Sequence, residues 1–437
     1  MNPSPQADLL VTGRFLLPSS SNDDLIENGG IAIKEDTILD VGVATELKKK
    51  YPQCNTLHEE HGLIMPGLIN THTHAPMSLF RGLADDLPLM TWLQDHIFPV
   101  EAKLTPEMVH QATLLSLAEM IKSGTTSFCD MYLFADEVAK ATLKAGMRGW
   151  IGEVLYDFPS PNYGELDNGF TYVEAMFDRY RDHPLITVTV DPHAVYTCSP
   201  SLLERTGQLA ADHDSLHVIH LAENEAEVQG CLEQYGHTPV NHLEDLGLLN
   251  QRVLAAHCVK LNGAEIELLA RRKVKVSHCL ESNMKLASGT APVVDLLDKG
   301  VTVSIGTDGP ASNNDVDLFS EMSTVAKVHK GVLLDPTVMS AETTLHCATK
   351  GGAKALGAHA QIGTLEAGKK ADLIVLDMNQ PHLTPVYNVV SHLVYAASGN
   401  DVIHSIINGQ PVMKHRALLT LNEGEILARI NELAAGL

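Results

Sequence analysis

Basic side chains and long apolar runs are both scarce in this sequence. Among its 437 residues, 31 are lysine or arginine and 54 are aspartate or glutamate, which gives a formal charge of −23. That balance argues against a nucleic-acid backbone or an anionic membrane surface as the main partner. The chain has no uncharged run of about 20 residues and no basic leader ahead of an apolar segment. We therefore expect a cytoplasmic protein that binds neither nucleic acid nor membrane.

Paired cysteines are lacking as well. The seven cysteines are an odd number, and none of them stands in a C-x-x-C motif. A disulfide framework or a cysteine-bound zinc knuckle is therefore not expected. The pattern favours reduced cysteines that act as small hydrophobic side chains, partly in the core.

Histidine, in contrast, is abundant. The 22 histidines occur singly or in pairs along the whole chain, and no His-rich tract collects them. Imidazole is a common metal ligand. Scattered histidines therefore favour a metal site that is assembled by folding.

Short apolar strands alternate with amphipathic helices from about residue 66 onward. A clear helix start stands at Thr105, where a capping residue precedes a proline and an acidic first turn; another start is expected at Ser199. Eight β-then-α units favour a closed (β/α)8 barrel of the TIM type over an open sheet. The eight predicted strands cover residues 68–71, 125–129, 149–155, 186–190, 216–221, 253–256, 274–277 and 301–305.

Both ends of the chain have the pattern of short strands. Asn28-Gly29 and Asn408-Gly409 are hairpin signals within these ends. Neither end is long enough to form a stable sheet alone. We therefore predict an α/β protein in which a small composite β-sandwich domain is built from both termini. Its parts are residues 1–65 and 366–437, on either side of a catalytic barrel at residues 66–365.

Polar residues stand at the ends of six of the eight predicted strands. The carboxyl ends of barrel strands face one mouth, where active sites are built. An H-x-H motif alone is weak, but its two imidazoles project to the same side of an extended segment and can reach one cation. The strand-end residues are His72, His74, His193, His220 with Glu223 close behind, His257, His278 and Asp308.

These segments together resemble the amidohydrolase superfamily over nearly the whole chain. Residues 79–105 and 277–289 are similar to the lid and pocket segments of the methylthioadenosine/S-adenosylhomocysteine deaminases within it. The resemblance implies hydrolytic deamination of an adenine nucleoside by attack of a metal-bound hydroxide on C6, with ammonia as the second product. The matching superfamily features are MPGLINTHTH at the first strand, the H-x-x-E of residues 220–223, His257, Asp308 and EAGKKADLIVLD.

The resemblance also implies one divalent metal ion per subunit. Its ligands would be His72, His74, His220 and Asp308, and zinc suits three imidazoles and a carboxylate. Iron and manganese stay open as alternatives. Binuclear members carry a carboxylated lysine at the fourth strand end, where this chain has His193, and a single ion is therefore expected.

The remaining site residues receive roles in catalysis and substrate binding. Glu223 is the candidate general acid for the ring nitrogen N1, and His257 and Asp308 are placed to orient the attacking water and accept its proton. The resemblance implies that Glu101 and His193 contact the nucleoside, and Glu223 and Asp308 are expected to contact it as well. An apolar wall for a thioether arm is expected from residues of the lid segment, with core packing as the alternative: Leu87, Leu89, Met90 and Trp92.

Two other functions stay open at this point. A related amidohydrolase could act on a free base or a triazine, as guanine deaminases, cytosine deaminases and triazine hydrolases do, because these enzymes share the metal chemistry and differ in the pocket. A barrel that serves only as an assembly scaffold is the second alternative. His278 is expected to have a structural role, and the sequence leaves open the preferred nucleoside and whether the chain forms a homo-oligomer.

Overall fold

The computed structural model describes residues 6–437. It begins with short strands, of which the first pairs in parallel with the fifth and antiparallel with the second and third. One helix, α1 (Ala44–Lys50), interrupts them. These N-terminal strands are β1 (Leu9–Leu16), β2 (Ile26–Glu27), β3 (Gly29–Lys34), β4 (Thr37–Val43) and β5 (Asn55–Pro66).

The central part of the chain contains all eight predicted barrel strands. Observed and predicted boundaries differ by no more than about three residues, and the fourth strand is divided in two. The barrel strands are β6 (Leu68–Thr73), β7 (Thr125–Tyr132), β8 (Arg148–Leu155), β9 (Ile186–Val188), β10 (Asp191–Pro192), β11 (His217–Leu221), β12 (Val253–His257), β13 (Lys275–His278) and β14 (Thr302–Ile305).

The parallel strands close into a barrel through backbone contacts at two seams. The strands from β6 to β10 and from β11 to β14 form two hydrogen-bonded sheets. Parallel bridges from Val190 to His217 and from Ala194 to His220 join these sheets at one seam. At the other seam, between β14 and β6, the backbone amide of Asp308 donates to the carbonyl oxygen of His72 at 3.0 Å. The predicted (β/α)8 barrel is therefore confirmed.

Helices follow the barrel strands and cover the outside of the barrel. Both predicted helix starts are confirmed, because Thr105 and Ser199 accept hydrogen bonds from backbone amides in the first turns of α4 and α7. The helices up to the last barrel strand are α2 (Leu89–Thr91), α3 (Phe98–Glu101), α4 (Pro106–Lys122), α5 (Ala135–Ala145), α6 (Leu166–Arg179), α7 (Pro200–Asp212), α8 (Glu225–Tyr235), α9 (Pro239–Asp245), α10 (Gly263–Arg272), α11 (Leu280–Lys285) and α12 (Val293–Asp298).

The C-terminal part of the chain forms strands that pair with the N-terminal strands. Its strands extend the same sheet, whose order is β18-β17-β16-β15-β5-β1-β3-β4, with β2 paired to β1. The elements after the last barrel strand are α13 (Leu318–Leu333), α14 (Ala341–Ala348), α15 (Lys350–Ala355), β15 (Leu373–Asp377), α16 (Val389–Tyr395), β16 (Val402–Ile407), β17 (Gln410–Lys414), β18 (Ala417–Leu418) and α17 (Glu423–Ala434).

This nine-stranded sheet curls so that two of its distant turns meet. Gly409, in the turn between β16 and β17, has a φ of +75°, and a Cβ there would lie 1.8 Å from the carbonyl oxygen of Glu35. Only glycine fits so close to another backbone. The curled sheet encloses an apolar core of its own, with Ile31, Ile64 and Val375 among its members. The prediction of one β domain built from both termini is confirmed.

One of the two predicted hairpins is wrong. Asn408-Gly409 does join antiparallel strands, but the strands on either side of Asn28-Gly29 both pair with β1 instead of with each other. Asn28 adopts a positive φ of 51°. It forms a bend between β2 and β3, which both pair with β1. The hairpin lies further on, between β3 and β4. Tertiary pairing with β1 therefore overrides the local turn signal.

The C-terminal segment also contains helices that lie on the barrel. The helix α17 packs against α4, and α16 packs against α14. The residue boundaries 1–65, 66–365 and 366–437 stay a prediction. Among residues 6–437, no helix combines the length and the apolar character needed to cross a membrane.

Candidate active site

Histidines from several strands meet at the carboxyl ends of the barrel strands. His72 and His74 come from the end of β6 and His220 from β11, and their ligand atoms all lie within 4.8 Å of one another. His257, which ends β12, and Asp308, which follows β14, form a second such group with His72. We call these five residues the mouth cluster. The structure thus brings together all four residues that were predicted to bind the metal.

Backbone carbonyl groups orient two of these rings. The Nδ1 atom of His74 donates to the carbonyl oxygen of Met131 at 2.5 Å, and that of His220 donates to the carbonyl oxygen of His193 at 2.8 Å. The two Nε2 atoms consequently face each other at 3.2 Å. Metal-binding histidines are oriented in this way, by a carbonyl or carboxylate on the other ring nitrogen.

The third ring, that of His72, differs from these two in its hydrogen bonding. His72 is fully buried, and neither of its ring nitrogens has a hydrogen-bond partner among residues 6–437. Burial lowers the pKa of His72 to about 4, so the ring is neutral and has a free lone pair. A buried polar atom without a partner costs free energy. A cation bound at the shared centre would supply the missing partner.

Asp308 is anchored through one oxygen and faces the histidines with the other. Its Oδ2 accepts from the hydroxyls of Ser282 at 2.6 Å and Ser312 at 2.7 Å. Its Oδ1 lies 3.6 Å from the Nε2 of His72 and 3.2 Å from that of His74. Burial alone would raise the pKa of Asp308, but these two rings hold it well below the ordinary range.

The negative charge of Asp308 requires a positive charge beside it. Burial lowers the pKa of His74, but the Asp308 carboxylate outweighs burial and raises that pKa to about 9. A proton on His74 therefore neutralises the carboxylate in the metal-free protein. Because metal ions displace protons from their ligands, a divalent cation would replace that proton and also satisfy His72.

His257 is held with one nitrogen directed away from the cluster. Its Nδ1 donates to the amide oxygen of Asn283 at 2.8 Å, and its ring stacks 5.5 Å from that of His220. Its φ of 71° lies in the left-handed region, as does the φ of 63° at Asp308. Such backbone conformations cost free energy in non-glycine residues and are concentrated at functional sites. The Nε2 of His257 is therefore the ring nitrogen that Asn283 does not engage.

Glu223 is buried beside the mouth cluster and stands just before α8. The hydroxyl of Ser288 donates to its Oε1 at 3.3 Å. The backbone amide of Glu223 donates to the carboxylate of Glu227, which fixes this turn of the chain. Burial raises the pKa of Glu223, and the neighbouring His257 opposes that rise. A raised pKa favours the protonated form of a carboxyl group, which is the form that can donate a proton.

Glu101 and His193 lie on two sides of the same cavity. Glu101, the last residue of α3, accepts a hydrogen bond of 2.6 Å from the hydroxyl of Tyr132. His193 follows β10, and its Nδ1 contacts the hydroxyl of Thr197 at 2.8 Å. Burial lowers the pKa of His193 to about 3, so this ring is neutral.

A single cavity connects all of these groups except His72. Polar residues of the site form one part of its lining, and the lid segment contributes an apolar part that includes Trp92. Leu87 and Met90, which were also expected there, are half-buried and lie outside the lining. The side chain of Leu89 falls outside the described part of the chain. The site residues in the lining are His74, Glu101, His193, His220, Glu223, His257 and Asp308.

His278 lies apart from this cavity. Its Nε2 is 3.0 Å from the Nε2 of His329 on α13, and both residues are buried. The structural role expected for His278 stays a prediction, and its position beneath α13 is consistent with that role.

The sequence did not single out the residues that hold the site residues in place. Three of them lie in residues 277–289, a segment whose resemblance covers it only as a whole and does not mark individual residues. The other three are small or aromatic residues close to strand ends. These supporting residues are Ser282, Asn283, Ser288, Tyr132, Thr197 and Ser312.

A second group of metal-ligand type lies in the nine-stranded sheet. Glu59 on β5, His404 on β16 and His415 in the turn after β17 have ligand atoms within 4.8 Å of one another. We call these three residues the sheet cluster. The Nε2 of His404 donates to Oε1 of Glu59 at 2.8 Å, so this pair already satisfies itself.

Known proteins resemble this chain over almost its full length. A 5-methylthioadenosine/S-adenosylhomocysteine deaminase from Syntrophobacter fumaroxidans is 54% identical over 99% of this chain and 98% of that protein. A 5'-deoxyadenosine deaminase from Methanosarcina barkeri is 45% identical over 96% of both chains. The solved structure of a zinc-bound adenosine deaminase from Xanthomonas campestris is 39% identical, covers 100% of both chains and superposes with a TM-score of 0.96.

The sequence profile of the amidohydrolase family matches residues 63–412, which include the whole barrel and, of the nine-stranded sheet, β15, β16 and parts of β5 and β17. The mouth cluster fits a divalent metal, in agreement with the expected cofactor class. The resemblance inferred from the strand-end motifs is confirmed over the whole barrel. The chain therefore belongs to the amidohydrolase family.

Proposed function

We propose that this protein is a metal-dependent hydrolase that deaminates adenine nucleosides to the hypoxanthine nucleoside and ammonia. The observation that carries the proposal is that Glu223 and four residues of the mouth cluster, all but the buried His72, line one cavity. Relatives named for the deamination of methylthioadenosine, S-adenosylhomocysteine and 5'-deoxyadenosine support it. The expected substrates are these adenine nucleosides and adenosine.

The residues that would hold the metal are His72, His74, His220 and Asp308, and zinc is the ion that we propose. Three imidazoles and one carboxylate are ordinary zinc ligands. The chemistry that such an ion supplies is a lowered pKa for water, from about 15.7 to about 7, so that hydroxide is available near neutral pH.

Two residues of the mouth cluster would handle the proton of the attacking water. The Nε2 of His257 is free because its Nδ1 is engaged by Asn283. Asp308 directs Oδ1 into the same space, because two serines hold its Oδ2. Together they would orient the water for attack on C6 and take up its proton, in the manner of general bases.

Glu223 would donate its proton to the ring nitrogen N1 as the bond between water and C6 forms. Negative charge would otherwise build up on that nitrogen. The proton taken from water then passes through Glu223 or His257 to the amino group, the C6–N bond breaks, and ammonia leaves. The C6 hydroxyl gives up its remaining proton as the C6 carbonyl forms, and that proton returns Glu223 to its protonated form. Water and the nucleoside thus give ammonia and the hypoxanthine product without a covalent enzyme intermediate.

Glu101 and His193 would position the nucleoside. The Tyr132 hydroxyl occupies one oxygen of Glu101, which leaves the other oxygen to accept hydrogen bonds from the ribose hydroxyls. His193 presents its Nε2 to the cavity, because Thr197 engages Nδ1. A free base or a triazine has no ribose for Glu101, and this buried carboxylate therefore favours a nucleoside.

The test is ammonia release from a panel of adenine nucleosides, guanine, cytosine and triazines, measured with the metal-loaded and the chelator-treated protein. We expect turnover of adenine nucleosides that depends on the metal. Glu101→Gln should raise KM for the nucleosides about tenfold, because a hydrogen bond to a charged acceptor contributes about 1.5 kcal/mol. Preferred turnover of a free base or a triazine, unaffected by Glu101→Gln, would overturn the proposal. A homo-oligomer and a cytoplasmic location stay predictions.

A further inference from the structure

We propose that the cavity selects adenine nucleosides whose 5' substituent is uncharged and apolar, and that it discriminates against a zwitterionic amino-acid arm. This inference rests on the proposed function, and it ranks the substrates within that class. It is carried by three aromatic residues beside Glu101 that we call the aromatic rim: Phe98, Tyr156 and Phe158.

Phe98 and Glu101 occupy the two ends of the short helix α3. Residues three apart on a helix share a face, and both side chains line the cavity. A ribose whose hydroxyls bind Glu101 would therefore lie next to Phe98. The remaining substituent of that ribose, on C5', would extend along the aromatic rim.

Phe158 forms the outer part of the rim. Its ring stacks on Tyr156 with the centroids 3.8 Å apart and the planes 11° apart, and it lies 5.9 Å from the ring of Phe98. Phe158 is 40% exposed, whereas Tyr156 is buried. The rim thus leads from the interior of the cavity to solvent, and it presents ring faces along that path.

The lining of the cavity, as far as the structure describes it, has no side chain with a permanent positive charge. Among the residues that the structure describes there, none is lysine or arginine, and the charged groups other than histidine are the carboxylates of Glu101, Glu223 and Asp308. The nearby Lys285, next to the lining residue Leu286, is paired with Asp85 at 2.6 Å and with the Ala311 carbonyl oxygen.

The aromatic rim and the lack of lysine and arginine in the described lining both favour a substrate with an apolar 5' substituent. A methyl thioether or a methyl group buries apolar surface against the rim, which is favourable. Sulfur also makes favourable contacts with aromatic rings. An α-carboxylate brought to the same place would lose water without gaining a cationic partner, and that loss opposes binding. Adenosine, with a 5' hydroxyl, should fall between the two.

The experiment compares kcat/KM for methylthioadenosine, 5'-deoxyadenosine, adenosine and S-adenosylhomocysteine on the metal-loaded protein at one ionic strength. We expect kcat/KM for S-adenosylhomocysteine to be at least about tenfold below that for methylthioadenosine, with most of the difference in KM. Equal or higher kcat/KM for S-adenosylhomocysteine would overturn the inference and leave the proposed function intact. Absence of turnover for all four nucleosides would overturn both.

A pair of variants tests the mechanism of selection. Phe158→Arg places a cation at the exposed end of the rim and should raise the ratio of kcat/KM for S-adenosylhomocysteine over methylthioadenosine about tenfold. Phe158→Leu, the matched control, keeps the rim apolar and should leave that ratio within about twofold. Adenosine reports the general activity of each variant. A ratio that is unchanged in Phe158→Arg, while adenosine turnover is retained, would show that the rim does not select the 5' group.

Discussion

The mouth cluster and the sheet cluster contain the same kinds of residues and differ in where their protons lie. At the mouth, two Nδ1 atoms donate to carbonyl oxygens and both Nε2 atoms point to a shared centre. In the sheet, the Nδ1 of His404 accepts a hydrogen bond from the backbone amide of His415 at 3.3 Å. The proton of His404 is therefore on Nε2 and is donated to Glu59.

Proximity of histidines and carboxylates is thus not enough to identify a metal site. In the mouth cluster, His72 has two buried nitrogens without partners among residues 6–437, and a cation would satisfy one of them. In the sheet cluster, the buried His404 already has two partners, and His415 is mostly in solvent, with 62% of its side chain exposed. The comparison favours the first group as the proposed metal site and leaves the second with a structural hydrogen bond.

The largest effect is expected when a ligand is removed from the mouth cluster. His74→Ala should reduce bound metal from about one equivalent to almost none and lower kcat/KM about a thousandfold or more, because a catalytic metal contributes several kcal/mol to transition-state stabilisation. Metal analysis and ammonia release measure the two effects. His61→Ala, at an exposed position on β5, is the control and should change neither. Full metal content in His74→Ala would remove His74 from the ligand set.

A smaller effect is expected from Glu223→Gln, which keeps the shape of the side chain and removes its proton chemistry. The variant should bind metal and substrate normally, and kcat should fall about a hundredfold or more, as is typical of general acid–base groups. Glu225→Gln is the matched control, because Glu225 is exposed at the start of α8 and accepts a hydrogen bond from the side chain of Gln229. A Glu223→Gln protein with the kcat of the original chain would refute the role of Glu223 as general acid.

Most of the fold, and the convergence of the proposed metal ligands, could be predicted from the sequence because their signals are local. Each barrel strand is a short apolar run, and a parallel barrel brings the carboxyl ends of all strands to one mouth. His72, His220, His257 and Asp308 stand at such ends, so their convergence follows from the strand count. The helix start at Thr105 could be predicted for the same reason, since the capping residue and the proline that follows it are adjacent in sequence.

The supporting contacts could not be predicted, because they depend on residues far apart in the chain. Tyr132 and Glu101 are 31 positions apart, and Ser282 is 26 positions from Asp308. A serine or tyrosine in these segments has no pattern that distinguishes a supporting residue from an ordinary one. The false hairpin at Asn28 has the same origin, because its outcome depends on pairing with β1.

The smallest effect on catalysis is expected from the sheet cluster. His404→Ala should leave bound metal at about one equivalent and kcat/KM within about twofold, because the Glu59–His404 pair is a hydrogen bond remote from the cavity lining. It should lower the free energy of unfolding by about 1–3 kcal/mol, since Glu59 would lose its buried partner. Denaturant unfolding measures this loss, and His415→Ala, at a mostly exposed side chain, is the control with a change below about 0.5 kcal/mol. Two equivalents of metal in the original chain and one in His404→Ala would overturn the distinction between the two clusters.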